Sequence, residues 1–154
     1  MPRLEGLMKA ELLKSRTFSI SIAAAPQAVY EFVSNPANLP RWAWAFCKSI
    51  RQENGQWVIQ TDMGAMTFRV APANDYGVLD HFVSPSPDFE IYVPMRVIAN
   101  GPHASEVIFT LFQQPGMSDG QFKTDAGLVE KDLAGLKKVM ESFAAGLSQA
   151  EKKS

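Results

Sequence analysis

The stretch SDGQFKTDAGLVEKDLAGLKKVMESFAAGLS, residues 118–148, decides the fold. Phe122, Ala126, Val129, Leu133, Leu136, Met140, Phe143 and Leu147 follow one another in alternating steps of four and three. At about 100° per residue these side chains fall on one narrow arc of a helix. Lys123, Glu130, Lys131, Lys138 and Glu141 lie elsewhere on the wheel. Ser118 is placed to cap the first turn, and Gln121 three residues on completes a capping box. A helix from Asp119 to about Ser148 is about 45 Å long at about 1.5 Å per residue, and only a broad, curved surface covers so long an apolar stripe. Gly127 and Gly135 project away from the stripe. They are expected to make room for nothing and to cost about 1 kcal/mol each.

The covering surface is read from the sequence upstream. In Arg16–Ala24, Phe18, Ile20 and Ile22 alternate with Thr17, Ser19 and Ser21, the mark of a half-buried strand. Pro26 opens a helix whose inner face is Val29, Phe32 and Val33. Asn35 caps a second short helix beginning at Pro36, and Pro40 is expected to end it. Six strand candidates follow: Ala45–Gln52, Gln56–Met63, Ala65–Ala71, Val78–Val83, Phe89–Ala99 and Ser105–Gln113. Asn54-Gly55, Gly64, Asp75-Tyr76-Gly77, Pro85-Ser86-Pro87-Asp88 and Asn100-Gly101-Pro102 separate them. Turns this short make the pairing antiparallel. The fold class is therefore α+β: a seven-stranded curved antiparallel sheet, two short helices after strand one, and a long C-terminal helix packed across the sheet. Residues 16–148 form this domain. Residues 1–15 are an N-terminal arm or short helix, with Leu4, Leu7, Met8, Glu11 and Leu12 able to share one face. Residues 149–154 are a polar tail.

A chain of 154 residues with 46% hydrophobic and 20% charged residues buries a core without metal or disulfide staples. The net charge of −1 and the lack of a basic stripe argue against nucleic acid as a partner. Charges break up the first 16 residues, so a signal peptide is not expected there. No apolar run is long enough for an integral membrane segment. The single cysteine, Cys47, forms no intrachain disulfide, so a cytoplasmic location is expected.

The opening Phe18–Ile22 with Ala25-Pro26-Gln27-Ala28-Val29-Tyr30-Glu31-Phe32-Val33, then Asn35-Pro36-Ala37-Asn38-Leu39-Pro40-Arg41-Trp42, resembles the START-like, or SRPBCC, superfamily. So does the close, Val107-Ile108-Phe109-Thr110-Leu111-Phe112 followed by Asp132-Leu133-Ala134-Gly135-Leu136-Lys137. The nearest likeness is to its polyketide cyclase/dehydrase and lipid-transport types. The resemblance runs from about Thr17 to Leu147. It implies a helix-grip fold with a cavity between sheet and helix, and hydrophobic ligands such as lipids, polyketides, quinones or sterol-like molecules. It implies no single activity, since the superfamily holds enzymes, carriers and co-chaperone-like proteins.

The sequence carries no G-x-S-x-G elbow, G-x-G-x-x-G loop or Walker loop, and no cofactor is called for. With two histidines and one cysteine, a metal site is not expected. His81 shares a strand face with Leu79 and Val83, while Asp80 points the other way. It reads either as a general acid or base or as a core histidine bonded to a backbone carbonyl. Glu90, Tyr92 and Arg96 share one face of their strand and Ile91, Val93, Met95 and Val97 the other. The apolar set is expected inside, and a one-residue slip would instead bring Arg96 into the cavity. Trp42, Trp44 and Phe46 border the cavity mouth in the resembling family; they read as a clamp for a flat ligand or as core. Asp125 and Asp132, at the edge of the helix stripe, read as pocket rim or solvated flank. Met63, Met66, Met95 and Met140 fall on inferred inner faces, where methionine suits an adaptable wall. Cys47 reads as structural.

The leading function is the binding of a hydrophobic small molecule. Its pocket is expected between Trp42, Phe46, Thr61, Met63, Met66, Phe68, Leu79, His81, Met95 and Phe109 and the helix residues Phe122, Val129, Leu133, Leu136 and Met140, with His81 and Thr61 orienting the ligand. Two alternatives stand beside it: a cyclase or dehydratase using His81 as its acid–base group, and an interaction module with a filled interior. A homodimer through an edge strand is allowed but not demanded.

Overall fold

The structure, a computed structural model, describes residues 10–153, with side chains to residue 146. Most of the face expected of Leu4, Leu7, Met8, Glu11 and Leu12, and the stripe residue Leu147, lie outside those limits. Leu12 lies inside them and is exposed.

Strand β1 (Ser15–Ile22) buries Phe18 and Ile22. Helix α1 (Pro26–Val33) carries proline in its first turn, where no amide donor is needed. It buries Val29 and Val33. Asn35 caps a 3-10 turn (Pro36–Asn38) by accepting the N–H of Ala37 at 3.1 Å. Helix α2 (Leu39–Trp42) follows. Pro40 does not end a helix as expected. It sits in the first turn of α2, where its missing N–H costs no bond.

Among the described residues eight strands form two antiparallel sheets. One runs in the order β2 (Ser49–Glu53), β3 (Gln56–Thr61), β4 (Gly64–Val70), β5 (His81–Ser86), β6 (Phe89–Val93). The other orders β1, β8 (Ser105–Phe112) and β7 (Met95–Ala99). The expected count of seven fails at Pro94, which has no N–H to give a ladder. The chain there leaves β5 and joins β8, with Thr110 N–H donating to the Pro94 carbonyl at 3.0 Å. The Asp80 carboxylate takes up the N–H of Met95 at 2.9 Å and also accepts from Tyr92 and Arg96. Arg96 and Tyr92 therefore gather around Asp80, while Val93, Met95 and Val97 are buried.

Two strands start later than the sequence pattern indicates. Residues 78–80 lie outside β5 because the Asn74 carboxamide accepts the N–H groups of Tyr76 and Val78, competing with a ladder. Only Val78 bridges, to Arg96. Residues 45–48 lie outside β2 because the Asp132 carboxylate accepts the N–H groups of Ala45 and Phe46. Asn54 and Gly55, at φ 52° and 78°, form the expected tight turn between β2 and β3. Strand β5 runs on through Pro85 to Ser86 with an irregular register, which shortens the turn expected over residues 85–88.

Helix α3 (Asp119–Lys153) lies against the sheet and continues through residues 149–153, where a tail was expected. Ser118 Oγ accepts the N–H of Gln121 at 3.1 Å. The other half of the box is absent, because the Gln121 amide instead bonds Asp125 at 2.8 Å. Ala126, Val129, Leu133, Leu136 and Met140 are buried. Phe143 is not: it is 41% exposed and meets Phe32 edge-on at 5.7 Å, with the Arg41 guanidinium over both rings. Gly135 also departs from expectation. A Cβ there would lie 2.7 Å from the Trp42 carbonyl oxygen and 3.4 Å from Trp44 Nε1. Glycine lets the end of α2 close directly onto the helix. Gly127 faces open space, as expected.

Candidate functional site

Sheet and helix do not meet everywhere. Between them lies a cavity of about 340 Å³. Its sheet wall is Met66 and Phe68 of β4, His81 and Val83 of β5, Ile91 and Val93 of β6, and Phe109 and Leu111 of β8. Leu39, Trp42, Ala43, Ala45 and Phe46 close one side. Helix α3 contributes Gln121, Thr124, Asp125, Leu128, Val129, Asp132 and Leu133. Thr61, Asp62, Met63, Gln114 and Met117 stand round the opening, where Met63 is 66% exposed.

His81 sits among aromatic rings, with centroids 5.3 Å from Phe68 and 5.7 Å from Phe109. Its Nδ1 lies 3.2 Å from the Leu79 carbonyl oxygen. A carbonyl only accepts, so Nδ1 carries the proton and Nε2 keeps a free lone pair. Burial drives the imidazole down from its ordinary 6.5 to about 4, partly offset by the Leu79 bond. The ring is therefore a neutral acceptor at physiological pH. Asp80 leaves the strand on the other face and is engaged by Tyr92, Arg96 and Met95. His81 thus has no carboxylate to orient it.

Asp132 is a buried carboxylate in the cavity wall. Burial raises it to about 6 against the opposing pull of the Ala45 and Phe46 N–H groups and of Lys48 and Lys131. Those N–H groups bond it at 2.9 and 3.2 Å, which ties the loop after α2 to the helix. Asp125, about two turns earlier, is also raised by burial, and its bond from Gln121 works against the rise. Neither is the solvated flank that is one reading of the sequence. Thr61 spends its hydroxyl on its own turn, donating to the Gly64 carbonyl at 2.9 Å and accepting Met63 N–H at 3.1 Å. Its proton is not free to orient anything. Cys47 is buried, and burial followed by the charge of Asp132 pushes its thiol up to about 11.

Of the residues the sequence singles out, Trp42, Phe46, Thr61, Met63, Met66, Phe68, His81, Phe109, Val129 and Leu133 stand round this cavity. Five do not. Leu79 and Met95 are fully buried at the seam between the two sheets, where Leu79 N–H donates to the Met95 carbonyl. Leu136 and Met140 lie beyond Gly135, where α2 has closed on the helix, and are core. Phe122 is half-buried outside the wall, which at that level is made by Gln121 and Asp125. Trp44, 55% exposed, also stands outside the wall. Leu39 and Leu128 were not singled out by the sequence, and Val83, Ile91 and Val93 were placed on inner faces but not in the expected pocket. The helical signal was present, since Gln121, Asp125, Leu128 and Asp132 follow steps of four, three and four along one flank of the stripe.

The architecture is the START-like helix-grip fold. A START superfamily protein from Mycobacterium smegmatis is similar over 84% of this chain and 98% of its own, with a TM-score of 0.66 at 14% identity. The Zhui aromatase/cyclase from a Streptomyces species matches over 84% and 94%, with a TM-score of 0.64 at 12% identity. The Aha1 dimer from Colwellia psychrerythraea matches over 84% and 97%, with a TM-score of 0.64 at 15% identity. No family model matches the sequence, and no characterised protein matches it by sequence. Among the described residues, no helix is long and apolar enough to cross a membrane.

Proposed function

We propose that the protein binds a hydrophobic small molecule in the cavity between the sheet and α3. The observation that carries this reading is the cavity itself. At about 340 Å³ it falls within the range of about 300–1,000 Å³ usual for small-molecule sites, which pair apolar walls with a few polar anchors. Phe46, Phe68, Phe109, Ile91, Val93 and Leu133 supply the apolar wall. His81 Nε2, a bare acceptor between two phenyl rings, is the anchor for a ligand hydroxyl or amine. Binding would gain from removing the ligand's apolar surface from water, at about 25 cal/mol per Å².

An interaction module with a filled interior fits less well, because the space is not packed by side chains. A cyclase-like enzyme, the printed activity of one structural neighbour, would use His81 as base. A histidine driven to about 4 is a weak base at neutral pH, and it has no orienting carboxylate. Native mass spectrometry of protein purified from its own host tests the binding reading. An adduct of a few hundred daltons that denaturation releases is the expected result. Bare protein, with no shift in melting temperature across fatty alcohols, quinones and polyketides, would overturn it.

A further inference from the structure

The charge of the cavity wall restricts what kind of hydrophobic molecule it takes. Its ionisable residues are Asp125 and Asp132 on α3, Asp62 at the opening, and His81, which is held neutral. No lysine or arginine stands in the wall among the described residues. The cation closest in sequence to the loop that Asp132 holds is Lys48, and it is committed elsewhere. Its Nζ donates to the carbonyls of Trp44 and Ala45 at 3.2 and 3.1 Å. Lys131 is exposed and makes no ion pair among the described residues. Asp132 receives two backbone N–H groups and no side-chain cation. Asp125 receives one neutral donor, Gln121 Nε2, on Oδ1, and no described protein donor reaches its Oδ2.

Carboxylates in an apolar wall are ordinarily balanced by a cation or a full set of donors. No cation bonds either of these two directly, Lys48 and Lys131 acting on Asp132 only through their charge, and a carboxylate oxygen accepts more than one hydrogen bond. We propose that the cavity selects by charge: its ligand is an apolar molecule bearing a protonated amine that reaches Asp125, and molecules of the same body bearing a carboxylate are excluded. The amine would supply the missing counter-charge, while a ligand carboxylate would meet like charges on the helix and no cation opposite. This deepens the binding reading and rests on it.

The test uses three probes with one naphthyl body and different charge: 2-naphthylmethylamine, 2-naphthalenemethanol and 2-naphthoate. Each is titrated calorimetrically into the full chain at pH 7.5. The amine should bind on the order of tenfold or more tighter than the alcohol, a ratio worth about 1.4 kcal/mol, and naphthoate weakest of the three. Asp125→Asn keeps an oxygen to accept the Gln121 bond, so it preserves the local structure. Within that variant the amine should bind no tighter than the alcohol. Naphthoate binding as tightly as the amine, or Asp125→Asn leaving the amine preference intact, overturns the charge selection while the binding reading stands. If none of the three binds, the alcohol included, the binding reading fails and the charge selection fails with it.

Discussion

His81 and Asp132 face one cavity, and burial has moved them in opposite directions on the same stretch of the pH scale. His81 falls from 6.5 to about 4. Between those values the unfolded chain binds a proton there that the native state refuses, so acidification from neutral pH removes stability. Asp132 rises from 3.8 to about 6. Between those values the native state holds the extra proton, so acidification adds stability. At 1.36 kcal/mol per unit each contribution is about 3 kcal/mol, and the two nearly cancel in the wild-type protein. Single substitutions expose them. His81→Gln removes the histidine contribution, so its stability relative to wild type should rise by about 3 kcal/mol between pH 7 and pH 4. Asp132→Asn should fall relative to wild type by a similar amount over the same interval. Urea unfolding of the three proteins at half-unit pH steps reads both differences, with the other carboxylates cancelling between variant and wild type. Parallel profiles for all three proteins would refute the reasoning, since they would mean that neither group is desolvated as the cavity geometry requires.

Two further substitutions test the packing around the site. Gly127→Ala should stabilise by about 1 kcal/mol, because its Cβ meets nothing and helix propensity improves. Gly135→Ala has the same propensity gain but drives a methyl group to 2.7 Å from the Trp42 carbonyl. Overpacking costs of about 1–3 kcal/mol should leave it 1–3 kcal/mol below Gly127→Ala in chemical denaturation, and equal gains would contradict the close approach. Asp80→Ala strips acceptors from Tyr92, Arg96 and the Met95 N–H and should cost on the order of 2 kcal/mol. Circular-dichroism melts read the loss, and an unchanged melting temperature would show that the seam at Pro94 does not depend on it.

The long helix and the alternating strands were legible because burial imposes their periods on the sequence. Phe18, Ile20 and Ile22 announce β1, and Val129, Leu133 and Leu136 announce the buried side of α3. What was not legible depends on contacts between distant segments. Pro94 divides a strand whose apolar alternation runs unbroken from Ile91 to Val97, so only the loss of one donor marks the change of sheet. Asp132 looks like a flank residue in sequence and is buried because it holds the amides of Ala45 and Phe46, 87 and 86 residues away. Gly135 looks like a defect in a helix until Trp42 lies against it. The sequence puts the cavity wall at Met66, Phe68 and Phe109 on the sheet side, and these residues border the space between sheet and helix. On the helix it was displaced by a few residues, because a cavity borders the packed stripe rather than coinciding with it.

The central claim is that the space between sheet and helix is a binding cavity. N-phenyl-1-naphthylamine, an uncharged probe whose fluorescence rises on leaving water, addresses it directly when titrated into wild type and into Val83→Trp, which puts an indole into the wall. Saturable enhancement with wild type, lost in a Val83→Trp protein that still unfolds cooperatively, is the predicted result. Equal enhancement by both proteins, or none by either, would contradict the account.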